Sequence, residues 1–179
     1  MSPTTATDNY TGVSKTLHWL IALLAFTQLT MGKVFDVGAD EDNGLFGWHT
    51  SLGLLVLALM LVRLAWRLTH PVPALPASTP AWQQAAARAT HITFYALLIA
   101  LPLSGWLVTS AEGDAVNFLG WFPVPALPVP GGEAAEDTLE EAHELLGNLL
   151  LILAGVHVLA GLKHHFMDRD GVLRRMLPG

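Results

Sequence analysis

Four long apolar stretches constrain the fold of this chain more than any other feature of its sequence. They cover about residues 15–34, 46–69, 88–110 and 140–165, and each approaches the ~20 apolar residues needed to cross the hydrocarbon core of a bilayer. Charged residues make up only 13% of the 179 residues, against about 25% in a typical soluble domain. The sequence therefore predicts one all-α domain over residues 1–179, a four-helix bundle embedded in a lipid bilayer. A soluble bundle of four buried helices is the alternative.

Several features predict where the helices begin and end. Asn43 and Thr138 are candidate N-caps for the second and fourth spans, and Thr79 followed by Pro80 resembles an N-cap with proline at the first helical position. A surface helix is then expected to lead into the third span, where Pro102 predicts a kink. Residues 110–137 are predicted to form the longest loop. No small-residue cleavage site follows the first apolar run, so no cleaved signal peptide is expected. Five tryptophans near the span ends are typical of an interfacial belt: Trp19, Trp48, Trp66, Trp82 and Trp106.

The lysines and arginines predict the orientation of the chain, because these residues concentrate on the cytoplasmic side of membrane proteins. Lys33 alone falls on the opposite side. Twelve of the fifteen acidic residues lie on that outer side. Both termini are therefore expected in the cytoplasm. The eight other basic residues share the inner side: Lys15, Arg63, Arg67, Arg88, Lys163, Arg169, Arg174 and Arg175.

The chain has no cysteine. This absence excludes disulfides, thiolate metal sites, iron–sulfur clusters and covalent haem attachment. No nucleic-acid partner is expected.

Histidines in or beside the spans are the strongest functional signal, because ionisable groups are costly inside a membrane. If Asn43 and Thr138 are the caps, His49 and His143 lie at similar depth near the outer face. His157 follows His143 by 14 residues, which is about 21 Å along a helix and within about 40° of the same direction. His18, entering from the inner face, can meet His157. His91 competes for that role, and depth alone does not choose between them.

Two pairs of imidazoles at two depths would suit two iron porphyrins, each ligated on both faces within the bundle. Filled axial positions block oxygen binding and favour one-electron transfer. Glycines near Gly53, Gly147 and Gly155 would leave room for a flat ring. A metal transporter is the rival interpretation. It is weakened because the spans contain almost no carboxylates, which hard or borderline cations usually recruit.

Four segments carry a resemblance that covers the chain from about Tyr10 to Pro178: SKTLHWLIALL, WHTSLGLLVLALMLVRLAWRL, HITFYALLIALPLSGWL and HELLGNLLLILAGVHVLAGLKHHF. Together they resemble the bacterial cytochrome b561 family, which includes a di-haem superoxide oxidase. The resemblance implies two b-type haems, with His18 and His157 as ligands of the inner iron and His49 and His143 as ligands of the outer iron.

The resemblance also implies roles at the inner side of the membrane. His91 would then be a pocket residue rather than an axial ligand. Basic side chains at the inner ends of the spans would pair with haem propionates: Arg63, Arg67 and Lys163. The family suggests a quinone at this side, where either His164 or His165 would hydrogen-bond a carbonyl oxygen.

The sequence therefore predicts a cytochrome that moves single electrons across the inner membrane, to or from quinone, with superoxide as one candidate donor. Superoxide is an anion, so an enzyme that collects it reacts faster when the electrostatic potential around its site is positive. The acidic outer side of this chain would instead repel superoxide. A cationic redox protein would suit that side better. The runner-up is a haem-bearing anchor or electron-relay subunit of a larger respiratory, hydrogenase or photosynthetic complex.

Overall fold

The computed structural model describes residues 9–35, 44–76 and 79–177. Its four long helices are α1 (Gly12–Val34), α2 (Gly44–Thr69), α3 (Ala81–Ala111) and α4 (Glu133–Lys163). Within the described residues, four helices are long and apolar enough to cross a membrane. A π-helical turn, His164–Asp168, and a 3₁₀ turn, Arg174–Met176, follow α4. The predicted four-helix membrane bundle is confirmed.

Consecutive helices pack against each other, so that α1 contacts α2, α2 contacts α3 and α3 contacts α4. The buried core is small. It consists of one cluster around Ile21 and Met60 and a second around Leu97 and Leu150. The remaining helix faces are apolar but exposed: Leu23, Ile92 and Ile152 are 65%, 69% and 65% accessible. A water-soluble bundle would bury such side chains, so the exposed apolar faces are those that lipid covers.

The two ends of the bundle differ in structure. At one end, here called the tail end, α1 begins, α2 ends, α3 begins, and residues 164–177 fold back. There Trp19 Nε1 donates a hydrogen bond to the carbonyl of Met176 (2.8 Å), and Arg175 donates to the carbonyl of Ala74 (2.6 Å). These bonds join the start of the chain, the α2–α3 loop and the C-terminal segment, as an even number of spans requires.

The opposite end, here called the hairpin end, carries a small β-hairpin that the sequence analysis did not predict. Strand β1 (Val116–Phe118) pairs antiparallel with β2 (Phe122–Val124). Ser51 of α2 anchors it, since the hydroxyl donates to the carbonyl of Asn117 (3.3 Å) and accepts from the Leu119 amide (3.0 Å). Part of the predicted 110–137 loop is therefore ordered structure that lies against α2. Its anchor, Ser51, is two residues along the chain from His49.

The predicted cap of the fourth helix is wrong. α4 begins at Glu133, after Gly132 with its φ of 110°, and the Thr138 hydroxyl donates to the carbonyl of Ala134 inside the helix. The early start follows from strong helix formers beside acidic residues, which interact favourably with a helix N-terminus. The predicted cap of the third helix is wrong by one residue, because Pro80 and not Thr79 is the N-cap of α3, and no side chain caps the helix there. α3 runs without a break from the predicted surface helix into the third span. The Asn43 cap lies outside the described residues.

Candidate functional site

A cavity of about 650 Å³ opens at the hairpin end and reaches into the bundle. This volume lies within the range of small-molecule and cofactor sites. All four helices contribute to its wall, which includes Gln28, His49, Gly105, His143 and Gly147. The cavity therefore contains both histidines that the sequence analysis paired at the outer level.

The rings of His49 and His143 face each other across this space. Their centroids are 6.1 Å apart and their planes are 78° apart. A metal bonded at about 2 Å to one nitrogen of each ring would place the centroids roughly 6 Å apart. Among the described residues, His49 Nδ1 is also a buried nitrogen without a hydrogen-bond partner. Two half-buried imidazoles at this separation can hold one metal ion between them.

His143 makes contacts to α3 that the sequence analysis missed. The Ser104 hydroxyl lies 3.0 Å from His143 Nδ1. A Cβ atom placed on Gly105 would lie only 3.0 Å from the Cε1 atom of the same ring. Ser104 carried no signal in the sequence, because its partner is 39 residues away. α3 therefore orients this imidazole by a hydrogen bond and by close backbone approach.

Three histidines converge nearer the tail end. The ring centroid of His157 lies 6.4 Å from that of His18 and 6.0 Å from that of His91. Phe94 packs edge-on against His157 at 5.1 Å. His18 and His157 are half-buried, whereas His91 is exposed. Both ring separations suit a shared metal.

Basic side chains surround this second histidine group. Arg63 donates to the carbonyl of Ser14 at 3.2 Å, and both Arg63 and Arg67 interact electrostatically with the His91 ring. Lys163 instead forms an ion pair with Asp168. The two arginines thus lie beside the histidines, while the lysine has a carboxylate partner of its own.

His164 lies seven residues beyond His157, which is about 10 Å further along the helix and within about 20° of the same face. Its Nδ1 is 2.6 Å from Asp170 Oδ2 and 3.3 Å from Asp168 Oδ2. Asp170 in turn accepts from the Val172 amide at 3.0 Å. His165 packs edge-on against Phe166 at 4.7 Å. Of the two, only His164 continues the stripe that carries His143 and His157.

Acidic side chains line the cavity mouth at the hairpin end. Lys33 also lines it, and its Nζ is 2.9 Å from Glu144 Oε1. The described wall of the cavity that holds His49 and His143 therefore carries net negative charge. The acidic members are Glu112, Glu140, Glu141 and Glu144.

Comparison with known proteins places this geometry in a family. The sequence profile of prokaryotic cytochrome b561 matches residues 9–179. The chain belongs to the prokaryotic cytochrome b561 family. It is 34% identical to cytochrome b561 homolog 2 of Escherichia coli, over 99% of this chain and 95% of that protein. It is 30% identical to cytochrome b561 homolog 1 of the same species, over 90% and 93%. A probable superoxide oxidase of Yersinia pestis is 29% identical over 90% and 92%.

Members of the cytochrome b561 family are membrane electron-transfer proteins that carry b-type haem, and this chain is a multi-pass membrane protein of that kind. The residues fit the cofactor. Facing imidazoles supply nitrogen donors, and His49 Nδ1 is an orphaned buried atom among the described residues. Beside Gly147 and Gly155 no atom lies within 4 Å of where a Cβ would be, which leaves space for a flat macrocycle. The expectation of such space at Gly53 is wrong, because a Cβ there would lie 3.2 Å from Gln28 Nε2. The expectation of a haem protein related to superoxide oxidases is confirmed at the level of the family.

Proposed function

We propose that this cytochrome carries two b-type haems and transfers single electrons between a redox partner outside the inner membrane and quinone at its cytoplasmic side. The histidine pairs carry the proposal. Rings 6.1 Å and 6.4 Å apart from different helices lie at two levels of the bundle. Because His143 and His157 share α4, the levels are separated by about 21 Å of helix, most of the ~30 Å hydrocarbon core.

In this proposal His49 and His143 ligate the iron nearer the hairpin end, and His18 and His157 ligate the iron nearer the tail end. Bis-imidazole b-type haems supply reversible one-electron transfer and leave no open position for oxygen. The chain orients the ligands and keeps the site dry. Arg63 and Arg67 lie where guanidinium groups would pair with carboxylates of the inner cofactor, and His91 lies beside the inner pair without ligating.

The quinone is assigned to the tail end, at His164. The Asp170 carboxylate can only accept a hydrogen bond, so His164 Nδ1, 2.6 Å from it, carries a proton. The Nε2 atom of the same ring then accepts from a quinol hydroxyl, and it donates to a quinone carbonyl when the ring is protonated. Reduction of a quinone to a quinol takes up two electrons and two protons, and the ring lies beside the aqueous face from which protons arrive. His165, turned against Phe166, is the weaker of the two candidates.

The orientation follows from charge. The tail end holds Arg63, Arg67 and the basic C-terminal segment, and the hairpin end holds most of the described acids. The positive-inside rule therefore assigns the tail end and both termini to the cytoplasm. The acidic cavity mouth then faces the periplasm, where it favours a cationic redox protein over superoxide. Superoxide oxidation is the second candidate, supported by the Yersinia relative's name.

One spectroscopic experiment tests the proposal. The purified protein, reduced with dithionite, is expected to show b-type haem bands, and a redox titration is expected to resolve two couples. Quinol added to the oxidised protein should reduce both, and His164→Ala should slow this reduction while the dithionite spectrum stays unchanged. His165→Ala is the matched control. A protein without haem bands, or with a single couple and one haem per chain, contradicts the proposal.

A further inference from the structure

Ser104 has two polar neighbours on different helices. Its hydroxyl oxygen is 2.8 Å from the carbonyl oxygen of Leu101, within α3, and 3.0 Å from His143 Nδ1, on α4. Ser104 is only 8% accessible. Buried polar groups of this kind are expected to be hydrogen-bonded, so both short contacts have to be accounted for.

The chemistry of the three groups fixes the direction of both bonds. A serine hydroxyl has one proton to donate, and a carbonyl oxygen can only accept. The serine proton must therefore point to the Leu101 carbonyl, since otherwise the serine and carbonyl oxygens would lie 2.8 Å apart with no proton between them. Towards His143 the serine oxygen can only accept, so the proton of that bond belongs to His143 Nδ1. This leaves the lone pair on His143 Nε2.

The backbone of α3 at Gly105 also lies close to one side of the His143 ring. A Cβ on Gly105 would be 3.0 Å from His143 Cε1, 3.3 Å from Nδ1 and 3.8 Å from Nε2. Nε2 is thus the ring nitrogen further from α3. By contrast, His49 Nδ1 has no partner among the described residues. The two imidazoles of this pair are therefore unequal, and only His143 has its tautomer set by a neighbour.

We propose that Ser104 is a positioning residue that makes Nε2 of His143 the metal-binding nitrogen and strengthens that imidazole as a ligand. The inference rests on the proposed haem at the His49–His143 pair. An axial histidine that donates its other N–H becomes more basic, and such partners typically affect metal affinity 10–100-fold. A more basic ligand stabilises ferric over ferrous iron, so Ser104 would lower the potential of the outer couple.

The test is a redox titration of Ser104→Ala and Ser104→Thr in the haem-loaded protein. Ser104→Ala is expected to raise the midpoint potential of one couple only and to lose one haem about 10-fold faster. Ser104→Thr keeps the hydroxyl, so its midpoint potential and its rate of haem loss should both match the wild type. Thr93→Ala removes another α3 hydroxyl, one that donates to the carbonyl of Ala89, and should change neither couple. An unchanged outer potential in Ser104→Ala overturns the inference.

A second measurement needs no variant. In the ¹⁵N-histidine-labelled, reduced wild-type protein, His143 Nδ1 is expected to carry a proton, and finding it unprotonated overturns the assignment even if Ser104→Ala fails to assemble. Failure of the proposed function looks different, because the wild type would then hold no haem at the His49–His143 pair. If the wild type shows two couples and the outer potential of Ser104→Ala equals the wild-type value, only the role of Ser104 is rejected, and the proposed function stands.

Discussion

At the scale of single residues, the proposed function depends on where the imidazoles are placed. His49 and His143 are 94 positions apart in the sequence, yet their ring centroids lie 6.1 Å apart inside a cavity. Neutral imidazoles are the ligands that b-type haem uses, and they avoid the larger cost of a permanent charge in the membrane. A glycine lies where each ring approaches a neighbouring helix, Gly32 beside His49 and Gly105 beside His143.

Gly105 provides the first prediction at this scale. Alanine is favoured over glycine in a helix interior by about 1 kcal/mol, but here its Cβ would lie 3.0 Å from His143 Cε1. We expect Gly105→Ala to displace the ring and to reduce occupancy of the outer haem while the inner haem stays intact. The measurement is haem content together with the redox titration. Gly12→Ala, at a glycine with nothing within 4 Å, should leave both haems in place, and equal behaviour of the two variants would refute the close-approach argument.

The histidine positions could be predicted from the sequence because each signal is local or periodic. A 14-residue spacing within one helix fixes both depth and direction. Ser104 and Gln28 could not be found this way, since their partners lie on other helices. Gln28 donates to the carbonyl of His49 at 2.7 Å, and Ser104 reaches across to His143. Only the packed bundle brings such pairs together.

At the scale of elements, the segment after α4 is a small structure of its own. It starts as a π-helical turn, and Arg169 adopts a left-handed conformation with φ of 52°. Asp170 then bonds to the His164 ring and the Val172 amide. This turn holds His164 at the tail end of the bundle, where the quinone is proposed to bind.

Asp170 makes this element pH-sensitive. Partial burial acts to raise the pKa of Asp170, but the Val172 N–H and the neighbouring His164 outweigh it, and the net pKa lies below the usual value. A lowered carboxyl pKa means that the charged form stabilises the fold. This stabilisation is present above the ordinary aspartate pKa of about 3.9 and is lost as the pH falls through the lower folded value.

Hydrogen exchange can measure this effect. After correction for intrinsic rates, protection of amides in residues 164–176 is expected to be constant from neutral pH down to about 4 and to fall below it. Asp170→Asn should lower protection at neutral pH and flatten the acid dependence. Glu140→Gln, at the opposite end, serves as the control. An Asp170→Asn protein that keeps full protection would show that the carboxylate does not hold the turn.

The long helices themselves were predictable, whereas their ends were less so. Apolar runs of ~20 residues identify spans by length alone. The start of α4 was misplaced because Thr138 resembles a cap, although the preceding alanines and acids extend the helix to Glu133. The β-hairpin was missed because three-residue strands are too short for a period of two to appear, and Pro123 lies inside one of them.

At the scale of the whole molecule, charge separates the two ends of the bundle. The described basic residues gather at the tail end except Lys33, which is paired with Glu144. The sequence could predict this separation by counting, since it needs only the order of the spans. It could not show that Glu112, Glu140, Glu141 and Glu144 line the mouth of the cavity rather than lie elsewhere, because that depends on where the loops fold.

Single-cysteine labelling tests the orientation. The natural chain has no cysteine, so Ala134→Cys at the hairpin end and Ala74→Cys at the tail end each introduce one exposed thiol. A membrane-impermeant maleimide applied to intact spheroplasts should label Ala134→Cys and leave Ala74→Cys unlabelled until the membrane is opened. The reverse pattern would contradict the positive-inside assignment.

Salt dependence tests the outer partner. Against an acidic mouth, electron transfer from a cationic redox protein should slow as ionic strength rises from 0.01 to 0.15 M, where the screening length shrinks from about 30 to 8 Å. Reaction with superoxide, an anion, should instead become faster with added salt. Stopped-flow reduction at several salt concentrations makes the comparison, and Glu140→Gln with Glu141→Gln should weaken either trend. If the rate of haem reduction by superoxide falls as salt is added, the cavity mouth does not present a negative potential.

Haem content per chain after loss of one histidine from each level is the most direct measurement. The wild type is expected to hold two haems, and His49→Ala and His157→Ala are each expected to retain about one, because a bis-imidazole site fails when either ligand is removed. The remaining couple should differ between the two variants, since a different level survives in each. Full pigment in both variants would mean that neither ring binds iron, and the two-level arrangement would have to be abandoned.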